Sequence, residues 1–427
     1  MVLRALTQFL GILARAIVKK YQPRIVGITG SVGKTTTRAA CVAVLSSRFR
    51  VRGSDKNYNN ELGVPITIIG VGAPGSNIFL WLGAFARALR LLLWRDKNYP
   101  ELLVLELGAD HPGDIAHLLS IAPLDVGVVT AVAAAHTEFF KSVAGVLAEK
   151  KLVLTELGTD KNAVVNVDDE NVHGIIDEIR APIIGFGFNE SATVRGVEAA
   201  IKYDGEGAPI GTQATIKTFG QDVSLFVQGV LGRPCVYAAL AAAAVGRACG
   251  LDIEEIQLGL SAFQTPPGRL RIISGIKKTI LIDDTYNASP NAAKVALDVL
   301  KEIHVSSNGR RIAVLGDMLE LGELSEQAHR EIGRVVIAAG CDILVTVGAA
   351  AKFIADEARV GGMDLNAIFS FDDSVAAGEF LKEKISVGDI ILVKGSQGAR
   401  CEKIVKLLMA DPAQAEKILV RQGKGWK

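Results

Sequence analysis

The sequence predicts an α/β fold in two successive units. The first is a P-loop unit with a parallel sheet and a small antiparallel extension, and the second is a Rossmann-like α/β unit. Three observations predict it. Short β-branched runs alternate with helical segments along most of the chain, the pattern of parallel strands covered by helices. A glycine loop, Gly30–Thr36, lies between the first strand run and the helix that follows. The segment Thr265-Pro-Pro-Gly268 stops the alternation, which then restarts.

Taken in order, residues 1–23 hold one helix. Arg4, Arg15 and the Lys19–Lys20 pair, with no small-residue cleavage site, argue against a secretory signal. A strand ends in Gly27-Ile28-Thr29 and a helix begins near Lys34. The apolar stretch 77–94 carries Arg87 and Arg90 on one helical face. Each would cost about 2.5–3.5 kcal/mol near a bilayer centre, so a transmembrane segment is not expected. An amphipathic helix packed on the protein is expected in preference to shallow membrane-surface contact. Strands follow at Leu102–Leu107, Asp125–Val132, Ala163–Val167 and Ile183–Phe186. From Ser191 to Val230 the runs TQATIKTF and QDVSLFVQ alternate apolar and polar residues, which predicts a small antiparallel sheet. Helices over Val236–Cys249 and Ile253–Phe263 close this unit, 24–265. The second unit, 266–427, reads as strand 279–283, helix 290–303, strand 311–315, helix 325–339, strand 342–347, helix 349–358, strand 389–393 and helix 398–409, a doubly wound order.

Composition agrees. A chain of 427 residues is longer than one hydrophobic core usually supports. A hydrophobic share of 49% suits sheets buried on both faces. The 47 basic and 46 acidic residues leave a net charge of +1, which gives no basis for a nucleic-acid partner. Five cysteines without metal-ligand spacing read as the reduced thiols of a cytoplasmic protein.

The strongest local signal is Thr29-Gly-Ser-Val-Gly-Lys-Thr-Thr36. Gly30, Ser31 and Gly33 let backbone N–H groups close around phosphate oxygens at a helix N-terminus. Lys34 supplies a charge for the terminal phosphates, and Thr35, beside Thr36, a hydroxyl for Mg²⁺. The loop departs from the strict GxxxxGK[ST] pattern, because Ile28 stands five before Gly33. Glu106 lies inside the apolar run Leu102-Leu-Val-Leu-Glu-Leu-Gly108, at the carboxyl end of a buried strand where ligands sit, and His136 follows the next strand at the same edge. The two could hold a divalent cation, or Glu106 could be a structural ion-pair partner and His136 a hydrogen-bonded loop histidine. Lys150, read alone, is a solvated surface lysine. In the second unit Asp283-Asp284-Thr285 could cap the helix that starts near Pro290, and Gly395-Ser396 could be a plain turn.

The ordered set TGSVGKTT, NYNNELGVP, LELGADHPGDI, AHTEFFKSVAGVLAEK, PPGRL, DDTYNASP, LGDMLELGELSEQAH and VKGS resembles the Mur ligase family of cell-wall synthesis. It is most similar to the branch that adds D-alanyl-D-alanine to a UDP-muramoyl tripeptide. The match runs from Arg24 to Met409. The resemblance implies an ATP- and Mg²⁺-dependent amide-bond ligase of peptidoglycan precursor synthesis that works through an acyl phosphate. It implies that Lys34 and Thr35 meet ATP phosphates and Mg²⁺. It makes Glu106, His136 and a carbamylated Lys150 metal ligands, which reverses the surface reading of that lysine. By the same carry-over Arg269, Asp284, Tyr286 and Asn287 meet the nucleotide. Asn57, Asn59, Asn60, Asp317, Glu320, His329, Lys394 and Ser396 face the substrates, a muramoyl-peptide-like carboxylate and a D-alanyl-D-alanine-like amine. A cytoplasmic monomer with small-molecule partners is the expected state.

The chain also departs from the family. Residues 1–23 stand where the family has a UDP-binding N-terminal domain, so that domain is expected to be lacking. Pro234, Cys235 and Ala238 replace a His and two Asn in the segment Gly232–Ala238; Ala131 and Gln397 replace a common Asn and Arg. Two other readings stay open. One is a Mur-type ligase for a carboxylate without UDP. The other is a non-catalytic nucleotide-binding partner in a cell-wall complex.

Overall fold

The computed structural model describes residues 2–54, 58–75, 77–133 and 137–423. Two sheets organise it. The first holds β1 (Arg24–Thr29), β2 (Val51–Gly53), β3 (Leu102–Glu106), β4 (Val126–Val129), β5 (Asn162–Asn166), β6 (Ile183–Gly187), β7 (Val194–Tyr203), β8 (Pro209–Thr218) and β9 (Gln221–Gln228), in the order β2-β3-β1-β4-β5-β6-β7-β8-β9. Pairing is parallel from β2 through β7, then antiparallel. The predicted antiparallel extension is present and continues the parallel sheet, joined through Phe186↔Val194 and Gly187↔Arg195.

β3 and β4 are buried along their whole length, as their unbroken apolar runs require when both faces are covered. Helices Val2–Tyr21, Ile78–Leu93 and Asp114–Ile121 pack on one face. Lys34–Leu45, Arg233–Ala248 and Ile253–Ser261 pack on the other. At the far edge β9 alternates buried and exposed residues, because only one of its faces is covered.

The second sheet holds β10 (Arg271–Ser274), β11 (Ile280–Asp284), β12 (Arg311–Gly316), β13 (Ile343–Val347), β14 (Ile368–Phe371) and β15 (Ile390–Lys394), in the order β10-β11-β15-β12-β13-β14. All pairs are parallel except β10 on β11. The predicted strands are present. Strands β2, β10 and β14 and helices Gly63–Ile69 and Ser374–Lys384 are additions the sequence pattern did not announce. The three strands are short edge strands of three or four residues and mostly half-buried, too short for a period to register. The helix expected over 398–409 is broken instead. A 3₁₀ turn at Gln397–Ala399 ends at Arg400 with φ +52°, and the α-helix runs Glu402–Leu408. Similarly, the helix expected at 349–358 runs Lys352–Val360. Ser289, not the Asp283–Thr285 segment, stands at the N-cap position of helix Pro290–Glu302.

The order β2-β3-β1-β4 makes a switch point at β1: the chain runs from β1 to β2 and β3 on one side, and the β3–β4 connection crosses to the other. A crevice opens there, at the carboxyl ends of the strands. The parallel register sets Ile28 opposite both Glu106 and Val128, so the glycine loop leaves β1 beside Glu106.

Candidate active site

The loop after β1 is shaped by two glycines. Gly30 has φ +147°, and a side chain there would collide with Thr130 Oγ1. Gly33, at φ +86°, starts helix Lys34–Leu45 and offers it no side-chain cap. The first-turn N–H groups are thus left for an anion, with the positive end of the helix dipole behind them. The loop is pinned from β4: Ser31 N donates to Ala131 O (2.7 Å), Ser31 Oγ to Ala133 O (2.9 Å) and Thr130 Oγ1 to Val32 O (2.6 Å). Lys34 Nζ folds back on Gly30 O at 2.7 Å. Burial lowers its pKa from the ordinary lysine value, while the charge of Glu106 opposes that shift.

Glu106 is only 3% exposed, yet incompletely paired. Its Oε1 accepts from Thr35 Oγ1 (3.4 Å) and Asn59 Nδ2 (3.3 Å). Its Oε2 is buried and lacks a hydrogen-bond partner. A buried carboxylate oxygen without a donor costs free energy unless a cation meets it. The neighbouring donors are a carboxylate and a hydroxyl, hard oxygens of the kind Mg²⁺ takes, so these residues fit that ion. Among the described residues no cluster of three or more His, Cys, Asp and Glu side chains surrounds them. His136, the other expected ligand, and Asn57 lie outside the described residues.

Lys150 ends helix Val143–Lys150 and is 2% exposed, not the solvated lysine that isolated sequence reading gives. Burial, helped by the nearby charge of Lys34 and opposed by Asp110, Glu149 and Glu106, lowers its pKa to about 7. A large share of this amine is therefore neutral near neutral pH, the form that adds to CO₂. Its neighbour Glu149 accepts from Gly113 N (2.9 Å) and Ile115 N (2.7 Å), fixing the helix to the loop after β3.

A cleft of about 680 Å³ joins these groups to the second unit. Ser31, Gly33, Lys34, Thr35, Asn59, Asn60, Glu106 and Lys150 line one wall; Arg269, Tyr286, Asn287 and Glu320 line the other. Arg269 Nη2 donates to Thr35 Oγ1 at 3.4 Å, and its guanidinium lies 3.9 Å from the Tyr286 ring centre, a cation–π contact. Glu320 adopts φ +65°, a strained backbone for a non-glycine residue. Asn60 Oδ1 is already engaged, accepting from Leu62 N and Gly63 N.

Several expected site residues lie behind the wall and do not line the cleft; all are buried except Asp317, which is half-buried. Lys394 Nζ pairs with Asp284 Oδ2 at 2.6 Å and donates to Asn287 O at 3.0 Å. The β11–β15 register puts the two charged residues side by side. Ser396 Oγ donates to Ala288 O (3.3 Å) and accepts from Leu319 N (3.0 Å). Asp317 Oδ1 accepts from Ala351 N at 2.7 Å, ahead of helix Lys352–Val360. His329 is fully buried: Nε2 accepts from Met318 N (2.9 Å), and Nδ1 lies 2.7 Å from Ser325 O. Because Nε2 accepts, the proton facing Ser325 O sits on Nδ1, and burial lowers the ring's pKa. These five side chains hold the loops that carry Tyr286–Ala288 and Leu319–Leu321. Thr36 is buried in the first helical turn.

The cleft also contains Gln8, Glu61, Asp110, His111, Asp114 and His117, which the sequence reading did not single out. Asp110, His111 and Asp114 belong to LELGADHPGDI, so their presence in that segment was the available signal. Gln8 had none. It is one polar position on an N-terminal helix, brought to the cleft by packing.

A phosphate loop facing a second α/β unit across a polar cleft defines a nucleotide-binding enzyme of two α/β units. Comparisons with known proteins specify the family. The Mur ligase middle domain matches residues 87–246, and the Mur ligase, glutamate ligase domain matches residues 268–397. The UDP-N-acetylmuramoyl-tripeptide–D-alanyl-D-alanine ligase of Bacillus subtilis (strain 168) is 30% identical over 400 residues, 94% of this chain and 79% of its own. The crystal structure of MurF from Acinetobacter baumannii superposes with a TM-score of 0.77 at 26% identity, covering 93% of this chain and 79% of that one. MurF ligase from Thermotoga maritima in complex with ADP gives 0.75 at 27% identity, covering 94% and 83%. The chain belongs to the Mur ligase family.

Proposed function

We propose that this chain is an ATP-dependent ligase that joins a carboxylate to an amine, adding D-alanyl-D-alanine to a UDP-N-acetylmuramoyl tripeptide. The observation that carries the reading is the convergence of Lys34, Thr35, Glu106 and Lys150 on one cleft wall, facing Arg269, Tyr286 and Asn287. The similar ligase of B. subtilis bears that activity in its name, and the T. maritima relative was solved with ADP.

In the reaction an oxygen of the substrate carboxylate attacks the γ-phosphorus of ATP. The bond to the β-bridging oxygen breaks, and ADP leaves an acyl phosphate. The incoming amine then adds to the acyl carbon. Phosphate departs with the former carboxylate oxygen, and the nitrogen loses a proton. The N–H groups of the helix after Gly33 hold the phosphates, and Lys34 moves from Gly30 O to the transferring group. Arg269 closes the nucleotide site from the second unit, and the opposed walls exclude water that would hydrolyse the acyl phosphate.

Thr35, Glu106, His136 and Lys150 are the residues assigned to hold Mg²⁺, which when bound supplies positive charge against the phosphoryl oxygens. Lys150 serves as a carbamate: its neutral nitrogen bonds the carbon of CO₂ and releases one proton, turning a cation into a carboxylate-like oxygen donor. The unit boundary at 265/266, a cytoplasmic location, a monomeric state and small-molecule partners complete the reading. The test is ADP release with UDP-muramoyl tripeptide and D-alanyl-D-alanine, each omitted in turn. ADP only when both are present supports the assignment. Release with another carboxylate, lacking UDP, would replace the substrate and keep the reaction. No ADP with any carboxylate and amine pair would remove the ligase assignment.

A further inference from the structure

One surface of the first unit is not explained by the cleft. Helices Val2–Tyr21 and Ile78–Leu93 lie side by side, with Phe9 against Phe85 at 5.5 Å between ring centres. At their far end Lys20 Nζ donates to Leu91 O and Leu92 O. The second helix buries Trp81, Ala84, Ala88 and Leu91. Its opposite face is apolar as well: Phe79 is 77% exposed, Leu82 58% and Leu93 68%. On the first helix Phe9 and Ile12 are exposed beside it. Large apolar side chains clustered this way mark a surface that something covers.

Charge selects the occupant. Neither helix contains an Asp or Glu. Arg15, Lys19, Arg90, Arg95 and Lys97 are exposed on and just beyond these helices, and none is in an ion pair among the described residues. Asp96, the nearby acid, is engaged by Arg87 at 3.1 Å. Apolar side chains rimmed by unpaired cations match an anionic lipid–water interface, where acyl chains take the former and headgroup phosphates the latter. A protein partner reading the same surface would need an acidic rim around an apolar centre. No helix among the described residues is long and apolar enough to cross a bilayer.

We infer that the face formed by Phe9, Ile12, Phe79, Leu82, Leu89 and Leu93 docks this protein peripherally on an anionic membrane surface. Gln8, next to Phe9, lines the cleft, so docking sets one cleft wall near the interface.

The test is co-sedimentation of the full chain with phosphatidylcholine vesicles containing about one third phosphatidylglycerol, against pure phosphatidylcholine vesicles. Binding should favour the anionic vesicles by about ten-fold or more. It should weaken as salt rises from about 0.1 M to about 1 M, where the screening length falls from about 10 to about 3 Å. Phe79→Ser with Leu82→Ser, and separately Arg15→Glu with Arg90→Glu, should each lower partition by about ten-fold or more while circular dichroism and thermal melting stay those of the parent. Equal partition to both vesicle types, no partition at all, or unchanged partition in both folded variants would overturn the inference. So would sedimentation velocity showing a dimer that the Phe79 and Leu82 substitutions dissolve, because the face would then be covered by a second copy.

Discussion

Thr35 Oγ1 and Glu106 Oε1 lie 3.4 Å apart, joining the first turn of the phosphate-loop helix to the end of the neighbouring strand. The other oxygen of Glu106 is buried and without a hydrogen-bond partner. This pairing makes the loop more than a glycine turn, because an incompletely paired buried carboxylate sits beside the open N-terminus of its helix.

Glu106→Gln keeps the size of the side chain and removes its charge. We expect kcat to fall by about 10²–10³, the usual loss when one preorganised electrostatic group is removed. ADP affinity measured without Mg²⁺ should change only a few-fold, since the loop N–H groups are untouched. Full activity in this variant would separate Glu106 from metal binding.

Lys150→Ala should abolish most turnover, and formate or acetate added at high concentration should restore part of it. A carboxylate can occupy the space that the carbamate would fill; an amine cannot substitute for it. Steady-state ADP release with and without each acid measures this. Full activity without rescue reagent removes the carbamate role.

Lys394 and Asp284 form a buried pair at 2.6 Å, with side chains 2% and 9% exposed. Lys394→Met strands the carboxylate, and a loss of about 3–5 kcal/mol is expected in urea unfolding. Lys394→Met with Asp284→Leu should recover much of that loss, because no buried charge then remains unpaired. If the double variant were as unstable as the single one, the pair would not be the source of the cost.

Asp283 is fully buried; burial is the main cause that raises its pKa to about 6, while Thr285, donating through N and Oγ1, opposes it. A carboxyl whose folded pKa exceeds its unfolded value, about 3.9, binds its proton more tightly in the folded state. Its stability contribution is present below about pH 4 and is lost as pH rises through about 6. Asp283→Asn should therefore stabilise the protein at pH 7 by on the order of 2–3 kcal/mol, with the gain vanishing toward pH 4. Thermal melts across that window read it directly. A pH-independent difference would show that the carboxyl does not titrate as described.

The parallel core was legible because strands covered on both faces must be continuously apolar, as Leu102–Leu105 and Ile390–Val393 are. The phosphate loop was legible because its glycines answer a backbone demand that few other residues meet. The edge strands were not. Val51–Gly53 is held by pairing with β3 and has no period of its own. Chemistry was less legible than fold. Lys150 reads as a surface lysine in isolation; only its packing gives it a depressed pKa, and only the family motifs drew attention to it. For His329, Asp317, Lys394 and Ser396 the motifs located the right loops, but their side chains face inward to brace those loops. Sequence motifs report that a segment matters; which atoms face the cleft is set by tertiary packing.

The most direct test of carboxylate activation follows oxygen. With ¹⁸O in the carboxylate of the UDP-muramoyl tripeptide and D-alanyl-D-alanine as amine, each phosphate released with ADP should carry one labelled oxygen from the substrate. Unlabelled phosphate formed alongside ADP and amide, or release of AMP and pyrophosphate, would contradict phosphoryl transfer to the carboxylate in the cleft of Lys34, Glu106 and Lys150.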